Sequence, residues 1–231
     1  MCAYFQEPGQ KERIRVGDFE LDCLNVDQVM ERLQEFIQND HLNTFAFLSR
    51  KMLIEANEDA ILKDYVRRLD VGVICEHEVL EAAGITGGRV FEDVVTNNYY
   101  ERLFWQIVKA ELGVYLLCEE GQQCTRLKKF LEETYPGIRI VGMSCELAGG
   151  GVDSDHVLNQ INSAFPDIVI TGLSGNRQNH FMIQNQAKVF GKIWMNLGES
   201  PWFQSGSGVR TGWLASRRIK RYFRQIFVQN D

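Results

Sequence analysis

The chain has 231 residues, 45% of them hydrophobic and 24% charged, with a net charge of -6. That length and composition fit a globular α/β domain with a full core, and the acidic balance argues against a nucleic-acid binder. No apolar run is long enough to span a membrane and Met1–Gln10 has no signal-peptide core, so a soluble cytoplasmic protein is expected. The six cysteines, at positions 2, 23, 75, 118, 124 and 145, form no C-x-x-C pair, and the four histidines are isolated. Buried free thiols are expected rather than a metal site, and no cofactor is implied.

In chain order, Arg13–Val16, Gly17-Asp18 and Phe19–Leu21 predict a β-hairpin with a two-residue turn. Asn25 and Gln28 make a capping box, followed by a helix with Val26, Val29, Met30, Leu33, Phe36 and Ile37 on one face. Thr44–Leu48 reads as a strand, Ser49 as the cap of a helix running towards Arg68, and Val71–Ile74 as a buried strand. Leu80–Gly84 is helical and Ile85–Gly88 a turn. From Tyr99 the alternation is regular. Helices are expected over Tyr99–Leu112, up to Tyr135, and from Asp153 or Ser154 to Phe165. Strands fall between them at Val114–Cys118 and Ile138–Gly142. Repeated strand–helix units with short connections imply a mostly parallel, Rossmann-like sheet with helices on both faces. Val71–Ile74, Val114–Cys118, Ile138–Val141 and Ile168–Ile170 are expected to be neighbouring strands in it.

The stretch Pro166–Gln184 organises the rest. The β-branched run Ile168–Ile170 makes a buried strand, Gly172 and Gly175 bracket a turn, and Asn176 caps the following helix. Such a turn aims backbone N–H groups at one point, a natural place for phosphate, although the pattern is not the dinucleotide fingerprint G-x-G-x-x-G. An ordinary strand–turn–helix fits the same spacing. Lys192–Leu197 is the last strand. Ser205–Gly212 is a flexible-looking boundary, dividing an α/β domain (1–204) from an appendage (205–231). In that appendage Ile219, Tyr222, Phe223, Ile226 and Phe227 share a helical face, interleaved with Arg217, Arg218, Lys220, Arg221 and Arg224. A basic amphipathic helix of this kind lies on an anionic membrane, clamps a phosphate, or packs on its own domain with the basic face in water.

Several smaller candidates stand beside these. Cys75 has the chemistry of a nucleophile, but His77 is the one histidine that spacing fixes near it. Gly149–Gly151 reads as a mobile loop, His180 as a ligand-facing or surface histidine, and Trp194 and Trp202 as core or site wall.

The order of elements, the Gly172-Leu173-Ser174-Gly175-Asn176-Arg177-Gln178-Asn179 stretch and the Arg218, Arg221, Tyr222 triplet resemble the WecG/TagA/CpsF family of bacterial glycosyltransferases. Arg89, Val90 and Asp93 approximate a further family motif, and Tyr135–Gly142 suits it as well. The resemblance covers roughly residues 14 to 227. It implies an enzyme that moves a sugar, typically N-acetylmannosamine, from a UDP-sugar to a polyprenyl-diphosphate-linked acceptor at the cytoplasmic membrane face. Arg177, Gln178, Gly172, Gly175, Arg89 and Asp93 are then substrate-binding positions, and Arg218 and Arg221 clamp the leaving group. Where the family has a Thr and an Asn on the second strand, this chain has Phe47 and Ser49, with Ser49 standing in for the Asn. Where the family has its presumed catalytic Asp, this chain has Glu76 one residue later, with Glu78 as second choice. A catalytically inactive relative that binds a nucleotide-sugar or a partner is the alternative, and a homo-oligomer is compatible with either.

Overall fold

The computed structural model describes residues 13–145, 154–171 and 177–198. The hairpin forms as expected from β1 (Arg13–Val16) and β2 (Phe19–Asp22), turned by Gly17 at φ +57°. Helix α1 (Val26–Gln38) starts with the expected capping box: the Asn25 side chain accepts from Asp27 and Gln28 amides, and the Gln28 side chain accepts from the Asn25 amide.

Among the described residues, six parallel strands form one sheet in the order β4-β3-β8-β7-β5-β6. They are β3 (Asn43–Leu48), β4 (Val71–Ile74), β5 (Gly113–Leu117), β6 (Arg139–Ser144), β7 (Ile168–Thr171) and β8 (Ile193–Asn196). Every residue of β3, β4, β5, β7 and β8 is buried, as a parallel sheet covered on both faces requires, whereas β6 at the edge is mostly part-exposed. The fold is thus the expected Rossmann-like α/β arrangement, with one correction. β6, β5 and β7 are consecutive neighbours, but β4 lies at the far edge, separated from them by β3 and β8.

The helices differ from expectation in two places. The helix expected from Ser49 to Arg68 is two: α2 (Arg50–Glu58) and α3 (Ala60–Arg68). Asp59 ends the first and caps the second, its carboxylate accepting from the Ile61 and Leu62 amides. After α4 (His77–Ala82) and a non-helical connection at Ile85–Gly88, where a turn was read, the chain forms α5 (Arg89–Thr96), where only a motif was read, before α6 (Asn98–Lys109). Gly88 at φ +86° starts α5 without a side-chain cap, which is why it carries no sequence signature. The order is completed by α7 (Gly121–Thr134), α8 (Ser154–Ser163) and α9 (Arg177–Asn185).

Aromatic pairs seal the sheet on its two faces. Trp194 of β8 stacks on Tyr65 of α3 at 4.7 Å, and Phe47 of β3 stacks on Tyr100 of α6 at 4.0 Å. Trp194 is therefore core, its indole N–H donating to the Thr171 hydroxyl at 2.8 Å. No helix among the described residues is long and apolar enough to cross a membrane. The boundary at 205–212, the appendage beyond it, the 149–151 loop and Trp202 lie outside the described residues.

Candidate active site

In parallel sheets ligands collect at the carboxyl ends of the strands, where connections leave neighbouring strands in opposite directions. Here β5 leads to β6 on one side and β7 leads to β8 on the other, so that point lies between β7 and β5. The candidate residues are distributed around this edge of the sheet.

Ser49 and Glu76 come together. Their strands β3 and β4 pair in register up to Leu48 and Ile74, and the Cys75 amide donates to the Leu48 carbonyl at 3.2 Å. Ser49 is buried and its hydroxyl caps α2 by accepting from the Met52 amide at 3.1 Å. Glu76 is half-buried, and its Oε2 accepts from the Arg50 amide at 3.0 Å. The carboxylate is thus fixed across the start of α2, where oriented amides favour negative charge. Arg50, exposed at the same spot, was not singled out by sequence reasoning. Cys75 lies between them on the chain. Burial and the neighbouring Glu76 carboxylate push its thiol well above the usual range, so it is a poor nucleophile.

A second group surrounds the start of α9. The Arg177 amide donates to Glu119 Oε1 at 2.8 Å, so a carboxylate from the end of β5 rests on this helix terminus. Gln178 is buried, while the Arg177 side chain is exposed. Asn179 is buried, and its Oδ1 accepts from Asn196 Nδ2 at 2.7 Å. Asn196 Oδ1 in turn accepts from the Gly198 amide at 2.8 Å, while the Tyr100 hydroxyl donates to the Leu197 carbonyl at 2.9 Å. The end of β8 is therefore held from α9 and α6 at once. Glu119 and Asn196 were missed by sequence reasoning. The signal available for Glu119 was an acid pair, Glu119-Glu120, directly following a buried strand.

His180 pairs with Asp59 at 2.6 Å, tying α9 to the α2–α3 junction. Burial pushes Asp59 up, but the Leu62 amide and His180 together outweigh it and hold the carboxyl below its ordinary value of 3.8. The folded state thus binds this proton less readily than the unfolded chain. Its stabilisation is complete above the unfolded pKa and is lost as pH falls through the lower folded value. Asp59→Asn keeps the cap. Urea midpoints measured between about pH 6 and pH 3 are expected to fall less steeply in this variant than in the wild type.

Arg89 and Asp93 are both on α5 and both engaged with α1. The Asp93 carboxylate is buried and accepts from the Val26 amide at 3.0 Å and from Asn98 Nδ2 at 3.0 Å, joining the starts of α1 and α6. Arg89 forms an ion pair with Asp27, which Arg102 also approaches at 3.3 Å. Two guanidinium groups share the Asp27 carboxylate, and the Asp93 carboxylate beside them balances the second positive charge. Of the remaining candidates, Gly172, Gly175, Arg218 and Arg221 lie outside the described residues.

A search of curated proteins gave no match to the chain. The profile of the Glycosyl transferase WecG/TagA/CpsF family matches residues 14–222, most of the 231-residue chain, including the whole six-stranded sheet and all but the first residue of the hairpin. With that extent of match, and with the parallel α/β sheet that the resemblance implied, the chain belongs to the WecG/TagA/CpsF family of glycosyltransferases.

Proposed function

We propose that the protein transfers an N-acetylmannosamine-type sugar from a UDP-sugar to a polyprenyl-diphosphate-linked acceptor in cell-surface polysaccharide synthesis. The observation that carries this reading is the Glu76 carboxylate, half-buried at the carboxyl end of β4 and oriented by the Arg50 amide. In this reading Glu76 takes the proton of the attacking acceptor hydroxyl. The hydroxyl oxygen bonds to the anomeric carbon of the donor sugar, the bond from that carbon to the diphosphate oxygen breaks, and UDP leaves with the electron pair. Arg177, Arg218 and Arg221 neutralise the charge that develops on the leaving group. Ser49, Gln178 and the Gly172–Gly175 turn hold the donor, and Arg89, on a helix that Asp93 fixes to α1, contacts the anionic substrate.

Isothermal titration with UDP tests the donor site. Gln178→Ala is expected to weaken binding by on the order of 1 kcal/mol through loss of one oriented hydrogen bond. Equal affinity in the wild type and the variant places the donor elsewhere.

The basic, aromatic stretch Trp213–Asn230 is proposed to lie on anionic lipid at the inner membrane face with its arginines turned to the donor. Co-sedimentation with anionic liposomes should weaken as salt rises and disappear when residues 213–231 are deleted. Binding that ignores lipid charge rejects this role.

The second reading is a family member that binds a nucleotide-sugar or a partner without turning a sugar over, and donor binding with no transfer in the wild type would select it.

A further inference from the structure

Three cysteines that the transfer chemistry does not use meet at the carboxyl ends of β5 and β6. Cys118 and Cys145 follow these strands, each one position beyond the register pair Leu117–Ser144, and the Cys118 amide donates to the Ser144 carbonyl at 3.0 Å. Ser144 faces α8, where its hydroxyl bonds Gln160. Alternation along the strands turns the next pair, Cys118 and Cys145, to the opposite face, where α7 begins.

Two contacts agree with that placement. The Cys145 sulfur lies 3.4 Å from where a Cβ on Gly121, the first residue of α7, would sit. Cys124, on the first turns of α7, donates to the Leu116 carbonyl at 3.8 Å and accepts a hydrogen bond from the Cys118 thiol. Paired residues on adjacent strands sit about 4.8 Å apart, inside the Cα separation of about 4.4–6.8 Å that a disulfide spans. Cys118 and Cys124 are buried, Cys145 is half-buried, and all three are free thiols. Among the described residues no trio of His, Cys, Asp or Glu side chains is disposed to hold a metal ion.

We propose that Cys145 and Cys118 form a reversible oxidation site that closes to a disulfide in the presence of hydrogen peroxide. The more accessible Cys145 sulfur attacks one peroxide oxygen. The O–O bond breaks, one water leaves, and Cys145 becomes a sulfenic acid. The Cys118 sulfur then attacks the Cys145 sulfur. The S–S bond forms, the S–O bond breaks, and the departing hydroxide leaves as water with the proton of Cys118, relayed by Cys124. Two thiols and one peroxide thus give one disulfide and two waters. Its bond to Cys124, and then burial, hold Cys118 as a thiol, while accepting that bond pulls Cys124 down, as a proton relay needs. The link would fasten β5 to β6 immediately before Glu119, the residue resting on α9.

The test treats the purified, reduced full chain with hydrogen peroxide, counts free thiols, and maps peptides under non-reducing conditions. The expected result is loss of two thiols per chain and one Cys118–Cys145 peptide, both reversed by dithiothreitol. Cys118→Ser and Cys145→Ser should each lose that peptide, Cys23→Ser should keep it, and Cys124→Ser should form it more slowly. A folded wild type that yields no Cys118–Cys145 peptide, that links Cys118 to Cys124 instead, or that gives only sulfinic acid overturns the proposal. Wild-type mapping decides the matter even where a serine variant fails to fold.

Discussion

Replacing Glu76 by glutamine is expected to lower turnover by about 10²–10⁴-fold, the usual cost of removing a general base. The substitution is close to isosteric. A glutamine oxygen still accepts from the Arg50 amide, so the start of α2 keeps the contact that Glu76 makes at 3.0 Å. What disappears is the negative charge and the capacity to take a proton. UDP affinity measured by titration should therefore stay near the wild-type value while the transfer rate collapses, the signature of an interaction made only in the transition state. Glu78→Gln is the control. Glu78 leans on His77 at 3.3 Å, in the first turn of α4, and its loss should leave the rate nearly unchanged. If the wild type binds donor with no turnover, or Glu76→Gln turns over at the wild-type rate, Glu76 is not the base and the binding-module reading takes precedence.

Gly198→Ala is expected to be the most damaging small substitution at this edge of the sheet. Gly198 adopts φ +63°, and a Cβ there would lie 2.6 Å from the Phe47 carbonyl oxygen. That oxygen belongs to the backbone of β3 and has no rotamer to escape through. Left-handed strain and enforced overlap together should cost about 2–5 kcal/mol, read as a lower urea midpoint with an unchanged slope. Gly84→Ala separates the two contributions. Gly84 has φ +81° but nothing within 4 Å of the added atom, so it should lose only the conformational part, on the order of 1 kcal/mol. Comparable losses at both positions would mean that β3 yields to the added methyl group.

The elements that were legible in the sequence are those whose causes are local. The hairpin at Gly17-Asp18 and the Asn25–Gln28 capping box each need only a few consecutive residues, and both form as read. The buried strands announced themselves by unbroken apolar runs. Strand order was different. Nothing within Val71–Ile74 says that β3 and β8 intervene before β7, because that depends on pairings far apart in the chain. Asp59 was hidden by its own success, since an aspartate inside a helical pattern reads as a solvated surface residue unless its two amide partners are seen. At the candidate site the same division holds. Ser49 and Glu76 follow their strands directly and were found. The Glu119–Arg177 contact spans 58 residues and could only emerge from folding, as could the Asn179–Asn196 pair. Arg89 and Asp93 carried a motif, but their attachment to α1 was invisible without the position of Val26 and Asp27.

Asp59 also bears on how the molecule breathes. One residue terminates α2, initiates α3 and, through His180, holds α9. Helices that share a capping residue cannot fray separately at that point, because releasing one removes the hydrogen-bond partner that defines the next. Local opening on this face therefore recruits α2, α3 and α9 as one cooperative unit, whose amides exchange with solvent in a common event. The start of α9, where the donor is proposed to bind, is thereby coupled to the start of α2, beside Glu76. A ligand that quiets one end of that unit slows hydrogen exchange at the other, without any displacement of the backbone.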